Sequence, residues 1–590
     1  MAKNKGKLNN ITNAAHGNQA STAHGLQMKD VKLPMAVFMV FSLCAGGAYG
    51  TEEIISKAGP GLTLVFLITV PVLWSIPLGL VSAELGSARP QEGGYYKWVQ
   101  EAFGEYWGFQ AGWWRTVSIY IDNTLYVILA GGYLANGFGL SETAELIFKF
   151  TIIIVFTYIN IRGARDVGLV TSVLSSLVIF AFLLVAVCGF LNWHQDPFTP
   201  FTAAGKVPFS NIPAEEVVGY IGTGLALTMW MYAGYESMST MAGELRDPQI
   251  IPKATMIAIP VIIAVYILPT VAGLASVGDW SNWGTDIGTI GYHTPPMRFW
   301  GVGFGIFFLI VAIAAQCAIY NTYMASGSRG FFALADDCLA PPFLVECDKK
   351  YGVPYKAVLS MSFANMMLCM FSFEVVVIVD VFLLISAYIM IFLSALKLRR
   401  KIPRSEYKFR IPGSYGFLLA ICIVPIIITV VAFFINGTEY FIGGMIGIIS
   451  GPVMYIIWKK RYGGIAKKDP VNYPVDKSTG LAEGDLKRMS LNAAIIALMG
   501  FAAVPWLRWF EGRCGPAYYA EEYSSGVLKF LFGDFENMLT AINVSAALFT
   551  IISAALIIAH AVKKRDKLLD DRSEERRVGK ECRSRWSPYH

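Results

Sequence analysis

Gly46-Gly47-Ala48-Tyr49-Gly50-Thr51-Glu52-Glu53 interrupts an apolar run that begins near Leu33, and Tyr232-Ala233-Gly234-Tyr235-Glu236 interrupts another from Val217 to Gly243. Each interruption combines glycine, an aromatic ring and a carboxylate. Hydrocarbon offers no partner to loosened backbone or to charge, so such breaks are costly unless they line a cavity or meet protein groups. Paired breaks in corresponding positions of two halves point to a substrate site between two unwound helices.

Composition fixes the class. The 590 residues are 55% apolar, 14% aromatic and only 15% charged, against roughly 25% charged in soluble domains. The apolar residues fall in runs long enough to cross a bilayer core of roughly 30 Å. The nine cysteines are scattered without paired spacing, so neither a disulfide framework nor a metal site is expected. The polar N-terminal segment has no apolar core of the kind a cleavable signal carries. HExxH, GxSxG, P-loop and dinucleotide fingerprints are all absent, so no enzyme and no cofactor is expected.

Fourteen spans are predicted, near 34–56, 61–85, 107–135, 145–161, 168–192, 215–243, 254–277, 297–327, 356–373, 375–397, 414–435, 439–459, 489–511 and 536–562. The ninth and tenth nearly touch at Ser372-Phe373-Glu374, which predicts a tight hairpin. With the N-terminus in the cytoplasm, about 34 Lys and Arg lie inside and about 7 outside, the asymmetry of the positive-inside rule. Both termini are therefore expected in the cytoplasm of a plasma-membrane protein. The small positive net charge reflects topology and anionic lipid, not nucleic acid. The expected organisation is a tail over 1–33, a ten-helix core over 34–400, two further helices over 401–460, and a loop with a final pair over 461–571. Residues 572–590 have no apolar period and look like translated vector sequence, with a basic tail as the alternative.

An ordered series of motifs resembles the amino acid–polyamine–organocation superfamily of permeases over roughly 34–460. It comprises Glu84-Leu85-Gly86-Ser87-Ala88-Arg89-Pro90-Gln91-Glu92-Gly93-Gly94, Gly104-Glu105-Tyr106-Trp107-Gly108, Asn160-Ile161-Arg162-Gly163, Gly243-Glu244-Leu245-Arg246-Asp247-Pro248, Tyr351-Gly352-Val353-Pro354 and Phe409-Arg410-Ile411-Pro412-Gly413. The resemblance implies an all-α membrane protein with a five-plus-five inverted-repeat, LeuT-like core and broken helices one and six. It implies an amino acid or polyamine as substrate, carried by alternating access. Proton-coupled symport is the expected mode, with exchange, sodium coupling, or a non-transporting nutrient sensor as alternatives.

Three local patterns look most like the polyamine-uptake and L-type branches: 47–52, Ile121-Asp122-Asn123-Thr124-Leu125-Tyr126, and 234–240. The expected substrate-binding residues are Gly46, Gly47, Ala48, Gly50, Glu52, Asp122, Trp230, Tyr232, Ala233, Gly234, Tyr235 and Glu236. Amides around Gly46–Gly50 would take a carboxylate, and carbonyls around Tyr232–Gly234 an amine. Glu52, Asp122 and Glu236 would converge on one cavity and favour a cation; the bland alternative pairs Asp122 with Arg115. Trp230, Tyr232 and Tyr235 would act as lids or offer their faces to a cation, or merely pack. Val178 stands where proton-coupled members often carry lysine, so Glu52 and Glu236 become the proton-coupling candidates. Glu84 and Glu244 are expected to anchor loops. Gly443, Gly447 and Gly451 suit a close helix contact, either a homodimer seam or packing against the last two helices. The loop Asn136–Ala144 has no cysteine, so no disulfide-linked heavy chain is expected.

Overall fold

A computed structural model describes residues 25–203, 214–284, 290–371, 373–435, 437–476, 478–514 and 516–585. The predicted N-terminal tail before 25, Ser372 of the predicted hairpin, and 586–590 lie outside them. The described residues are helical, with only isolated bridges and no strand. This follows from the apolar runs, since a helix satisfies its own backbone in lipid. The chain divides into two units, Met1–Gly464 and Ile465–His590.

The first unit carries α1a (Leu33–Cys44), α1b (Thr51–Ala58), α2 (Pro60–Ala88), α3 (Glu105–Phe138), α4 (Glu142–Arg162), α5 (Ala164–Leu191), α6a (Ala214–Met231) and the 3-10 segment α6b (Ser237–Glu244). It continues with α7 (Ile250–Ser276), α8 (Val302–Asp336), α9 (Tyr355–Leu368), α10 (Phe373–Lys401), α11 (Tyr415–Ile435) and α12 (Thr438–Tyr462). Among the described residues, eleven helices are long and apolar enough to cross a membrane. The other three of the fourteen predicted spans are those broken or short: α1, α6 and α9, the last of 14 residues. The interrupted helices stand five elements apart, and two elements after each comes a long helix: α3 with 34 residues and α8 with 35.

Proline in α2 shows how the packing is repaired. Pro71 has no N–H to give the Leu67 carbonyl, and a π-helical turn covers Pro71–Ser75. The Tyr232 hydroxyl donates to Leu67 O at 3.2 Å instead, and Tyr235 meets Ser75 hydroxyl to hydroxyl at 2.7 Å. Thus the break in α6 is pinned against the distortion in α2.

One end of the core is sealed by charge and backbone. Arg329 of α8 grips Glu244 at 2.6 and 3.1 Å, both side chains fully buried. Lys29 bridges to Leu245 through its backbone, donating to Glu244 O at 2.6 Å and accepting from Arg246 at 3.1 Å. Glu84 takes Arg399 and the Ile411 amide, the latter at 2.7 Å. Glu84 and Glu244 are therefore anchors.

The glycine stripe of α12 faces inward. A Cβ at Gly447 would stand 3.0 Å from Leu383 of α10, and one at Gly451 2.3 Å from Gln110 of α3. Within this unit, Gly447 and Gly451 allow close packing onto α10 and α3.

The second unit pairs α13 (Asp485–Cys514) with α14 (Phe535–Arg585). Ser490 and Ser553 each donate to the other's carbonyl, at 2.8 and 2.9 Å. Residues 572–585, for which the sequence offers no apolar period, continue the α14 backbone.

Replacing Tyr232 by Phe leaves the Leu67 carbonyl unpartnered in a dry setting, at a cost of about 1–3 kcal/mol. The detergent-purified Tyr232→Phe variant should melt several degrees below wild type; an unchanged melting temperature would show that the carbonyl finds another donor.

Candidate functional site

Both breaks are backbone structures fixed by tyrosines. α1a ends at Cys44 and α1b begins at Thr51; between them Gly47 and Gly50 take φ of 85° and 93°. α6a ends at Met231 and α6b begins at Ser237, with Gly234 at φ 109°. Each break exposes carbonyls with no helical partner. The Tyr266 hydroxyl of α7 lies 3.3 Å from Cys44 O and 3.1 Å from Met231 O, so one side chain bridges the ends of both half-helices. The Gly234 amide donates to the Tyr388 hydroxyl of α10 at 3.0 Å.

A cavity of about 550 Å³ opens beside these ends. α1 contributes Gly46, Tyr49, Gly50 and Glu52, α3 Tyr126 and Tyr133, α6a Trp230, and α8 Gln316 and Tyr323. Glu52 is 4% exposed; one carboxylate oxygen accepts the Gly50 amide at 2.9 Å and the other has no partner. Glu53 stands at the rim, half exposed and paired with Lys57 at 2.6 Å. Among the described residues, no Lys, Arg or His lines the cavity. Glu52 is thus a carboxylate with a free oxygen amid aromatic rings.

A second tier of charge lies behind the aromatic wall. Arg115 of α3 is fully buried and donates to Glu236 at 2.6 Å, Ser237 at 2.9 Å and Ser118 at 3.2 Å. Ser118 passes a hydrogen bond to Asp380 of α10 at 2.6 Å. Asp380 is fully buried, and its other oxygen has no partner; neither does the second oxygen of Glu236. Asp122 accepts from Trp230 at 3.1 Å and from Tyr126 at 3.3 Å. Tyr126 is stacked between Trp230 and Tyr323, with ring centroids 5.9 and 5.8 Å away. Asp122 therefore holds the polar edges of two residues, Trp230 and Tyr126, that also line the cavity.

The predicted residues divide accordingly. Gly46, Gly50, Glu52, Trp230 and Ala233 line the cavity. Gly47, Ala48, Tyr232, Gly234, Tyr235, Glu236 and Asp122 do not. The three acids do not share one open space: Glu52 faces the cavity, while Glu236 is spent on Arg115 and Asp122 is capped by aromatic donors. Arg115 takes Glu236 as its ion-pair partner rather than Asp122. Tyr232 and Tyr235 pack against α2. Two glycines of the breaks serve packing: a Cβ at Gly47 would lie 2.1 Å from Phe182, and one at Gly234 2.1 Å from the Leu43 carbonyl. Val178 is buried and α5 has no lysine along its length; hydroxyls of Ser42, Thr171 and Thr322 instead link α1a, α5 and α8 at 2.7 and 2.9 Å. Sequence reasoning passed over Asp380 and Gln316. Asp380 had a signal, being an acid inside an apolar span; Gln316 had none beyond being polar.

Comparison with known proteins gives the family and the fold. The family model described as amino acid permease matches residues 32–455. A polyamine transporter of Arabidopsis thaliana, RMV1, is 28% identical over 72% of this chain and 85% of its own length. The polyamine transporter PUT1 of Oryza sativa subsp. japonica is 28% identical over 76% and 82%. The serine/threonine exchanger SteT of Bacillus subtilis is 22% identical over 73% and 98%. Among solved structures, MhsT in complex with L-phenylalanine superposes with a TM-score of 0.52 at 14% identity, covering 70% of this chain and 99% of MhsT. The last likeness establishes the inverted-repeat transporter fold.

The glycine geometry makes a specific prediction. Gly234→Ala sets a side chain against backbone at positive φ, at a strain of at least about 1–2 kcal/mol before any clash. It should lower the yield of monodisperse protein and its melting temperature. A variant that stays fully stable but loses substrate affinity would restore Gly234 to the ligand surface.

Proposed function

This chain belongs to the amino acid permease family of the amino acid–polyamine–organocation superfamily, and we propose that it is a secondary active transporter of polyamine-like or other amino-bearing cations. The observation that carries the proposal is the cavity beside the two breaks: Glu52 with an open carboxylate oxygen, a wall of tyrosine and tryptophan, and no basic side chain. An ammonium group gains from a carboxylate and from ring faces, and it loses where Lys or Arg compete. The names of the plant relatives support a polyamine. The charge asymmetry of the loops supports cytoplasmic termini, and a plasma-membrane location is part of the same reading.

The buried tier supports proton coupling. Asp122, Asp380 and Glu236 face a single guanidinium, and Glu236 already balances Arg115. Two carboxylates without a counter-cation are costly in a dry core, and one proton on the Asp122–Asp380 pair lowers that cost. Asp380 is the better holder, because one of its oxygens has no donor, whereas both oxygens of Asp122 accept hydrogen bonds. Ser118 and Arg115 connect this pair to Ser237, the first residue of α6b. Protonation and the position of α6b are thereby linked, as alternating access requires.

Two variants separate the roles. Glu52→Gln should weaken the apparent affinity for diamines roughly thirtyfold or more, as expected for truncating a buried charge contact worth about 2–5 kcal/mol, and should spare neutral competitors. Asp380→Asn should keep counterflow exchange of substrate in proteoliposomes and lose accumulation driven by an inward proton gradient. If Asp380→Asn accumulates substrate at the wild-type rate, Asp380 does not carry the proton. If Glu52→Gln binds diamines normally, the cavity is not read by this carboxylate.

A further inference from the structure

Between the end of α10 and the start of α11, the segment 397–415 folds back over the helix ends and encloses a pocket of about 600 Å³. Arg399, Arg400, Arg404 and Arg410 line it, together with Gly413 and Tyr415. The motif Phe409–Gly413 has no part in the cavity beside the breaks; here it forms a wall. Its Ile411 is clamped on both sides, the amide donating to Glu84 at 2.7 Å and the carbonyl accepting from Arg399 at 2.7 Å. That clamp fixes the backbone of the wall.

The charges do not cancel. Arg399 is spent on Glu84, and the neighbouring Glu406 is taken by Arg89 at 2.6 Å. Among the described residues no carboxylate pairs with Arg400, Arg404 or Arg410. Arg400 lies over Tyr415, its Cζ 4.1 Å from the ring centroid, and Arg410 lies over Tyr407 at 5.7 Å. Stacking orients a guanidinium without neutralising it. The Arg410 Nε is buried with no hydrogen-bond partner. A basic last turn does suit a helix C-terminus, but that effect explains only residues on α10, not Arg404 and Arg410 beyond it.

A second groove of about 440 Å³ shares Arg400 and Tyr415 with this pocket. Leu393 and Leu396 line it, and Lys397 and Lys401 stand at its edge. A cage of guanidinium forks beside an apolar groove at a helix end matches a phosphate-bearing headgroup with its acyl chain. We propose that this pocket binds an anionic phospholipid, with its phosphates held by Arg400, Arg404 and Arg410 and one chain along Leu393 and Leu396. The positive-inside rule places the site in the cytoplasmic leaflet.

The test uses the full chain purified in detergent and titrated with phosphatidylinositol 4-phosphate, with phosphatidylcholine as control. The phosphoinositide should raise the melting temperature and phosphatidylcholine should not. The triple variant Arg400→Gln, Arg404→Gln, Arg410→Gln should need at least about tenfold more of it for the same rise, because each basic residue near an anionic surface adds to the attraction. Equal response of variant and wild type would overturn the site. Equal stabilisation by the soluble inositol bisphosphate headgroup would overturn the lipid and leave a free phosphate binder. A photoactivatable phosphoinositide provides a check on wild-type protein alone: its label should fall within 393–415, and labelling elsewhere contradicts the proposal.

Discussion

Two helices stop in the middle of a bilayer, and everything else in the core answers the backbone groups they leave open. Lipid supplies no donors, so protein must. Tyr266 serves both C-terminal ends at once, Tyr388 holds the Gly234 amide, and Tyr232 repairs the carbonyl orphaned by Pro71. These hydroxyls come from α7, α10 and α6 itself, so the breaks are tied to three neighbours. A break held this way keeps a defined shape beside the cavity.

Charge is layered about that geometry. Glu52 meets the cavity directly, while Arg115 and its three acids lie behind the stack of Trp230, Tyr126 and Tyr323. The Tyr126 hydroxyl and the Trp230 indole N–H reach backwards to Asp122. A ligand pressing on those rings therefore acts on the hydrogen bonds of the buried tier without entering it. Arg115 also holds Glu236 and Ser237 at the start of α6b. Removing one partner of such a buried pair strands the other, at about 3–5 kcal/mol.

Much of this was legible in the sequence because its causes are local. Helix breaks require glycine, spans require apolar length, and an acid inside a span announces itself. What was not legible is direction. Gly47 and Gly234 were read as openings toward a ligand, but the missing Cβ at each points at Phe182 or at the Leu43 carbonyl; that depends on which helix lies alongside. Arg115 stands near enough to Asp122 in the sequence to be its partner, but in the fold it takes Glu236, more than a hundred residues away. The stripe of Gly447 and Gly451 declared a close contact but not its partner, which proved to be α10 and α3. Asp380 announced itself only as an acid inside a span; that it meets Ser118 of α3 depends on how α3 and α10 pack.

The account turns on a cavity that reads positive charge and on a buried tier that carries a proton. Flux of a radiolabelled diamine into proteoliposomes containing the wild-type protein, with and without an imposed inward proton gradient, tests both at once. It predicts saturable uptake of the diamine that exceeds uptake of a neutral amino acid of similar size and that rises above equilibrium only with the gradient. Binding without flux, or flux of the neutral substrate alone, would contradict it.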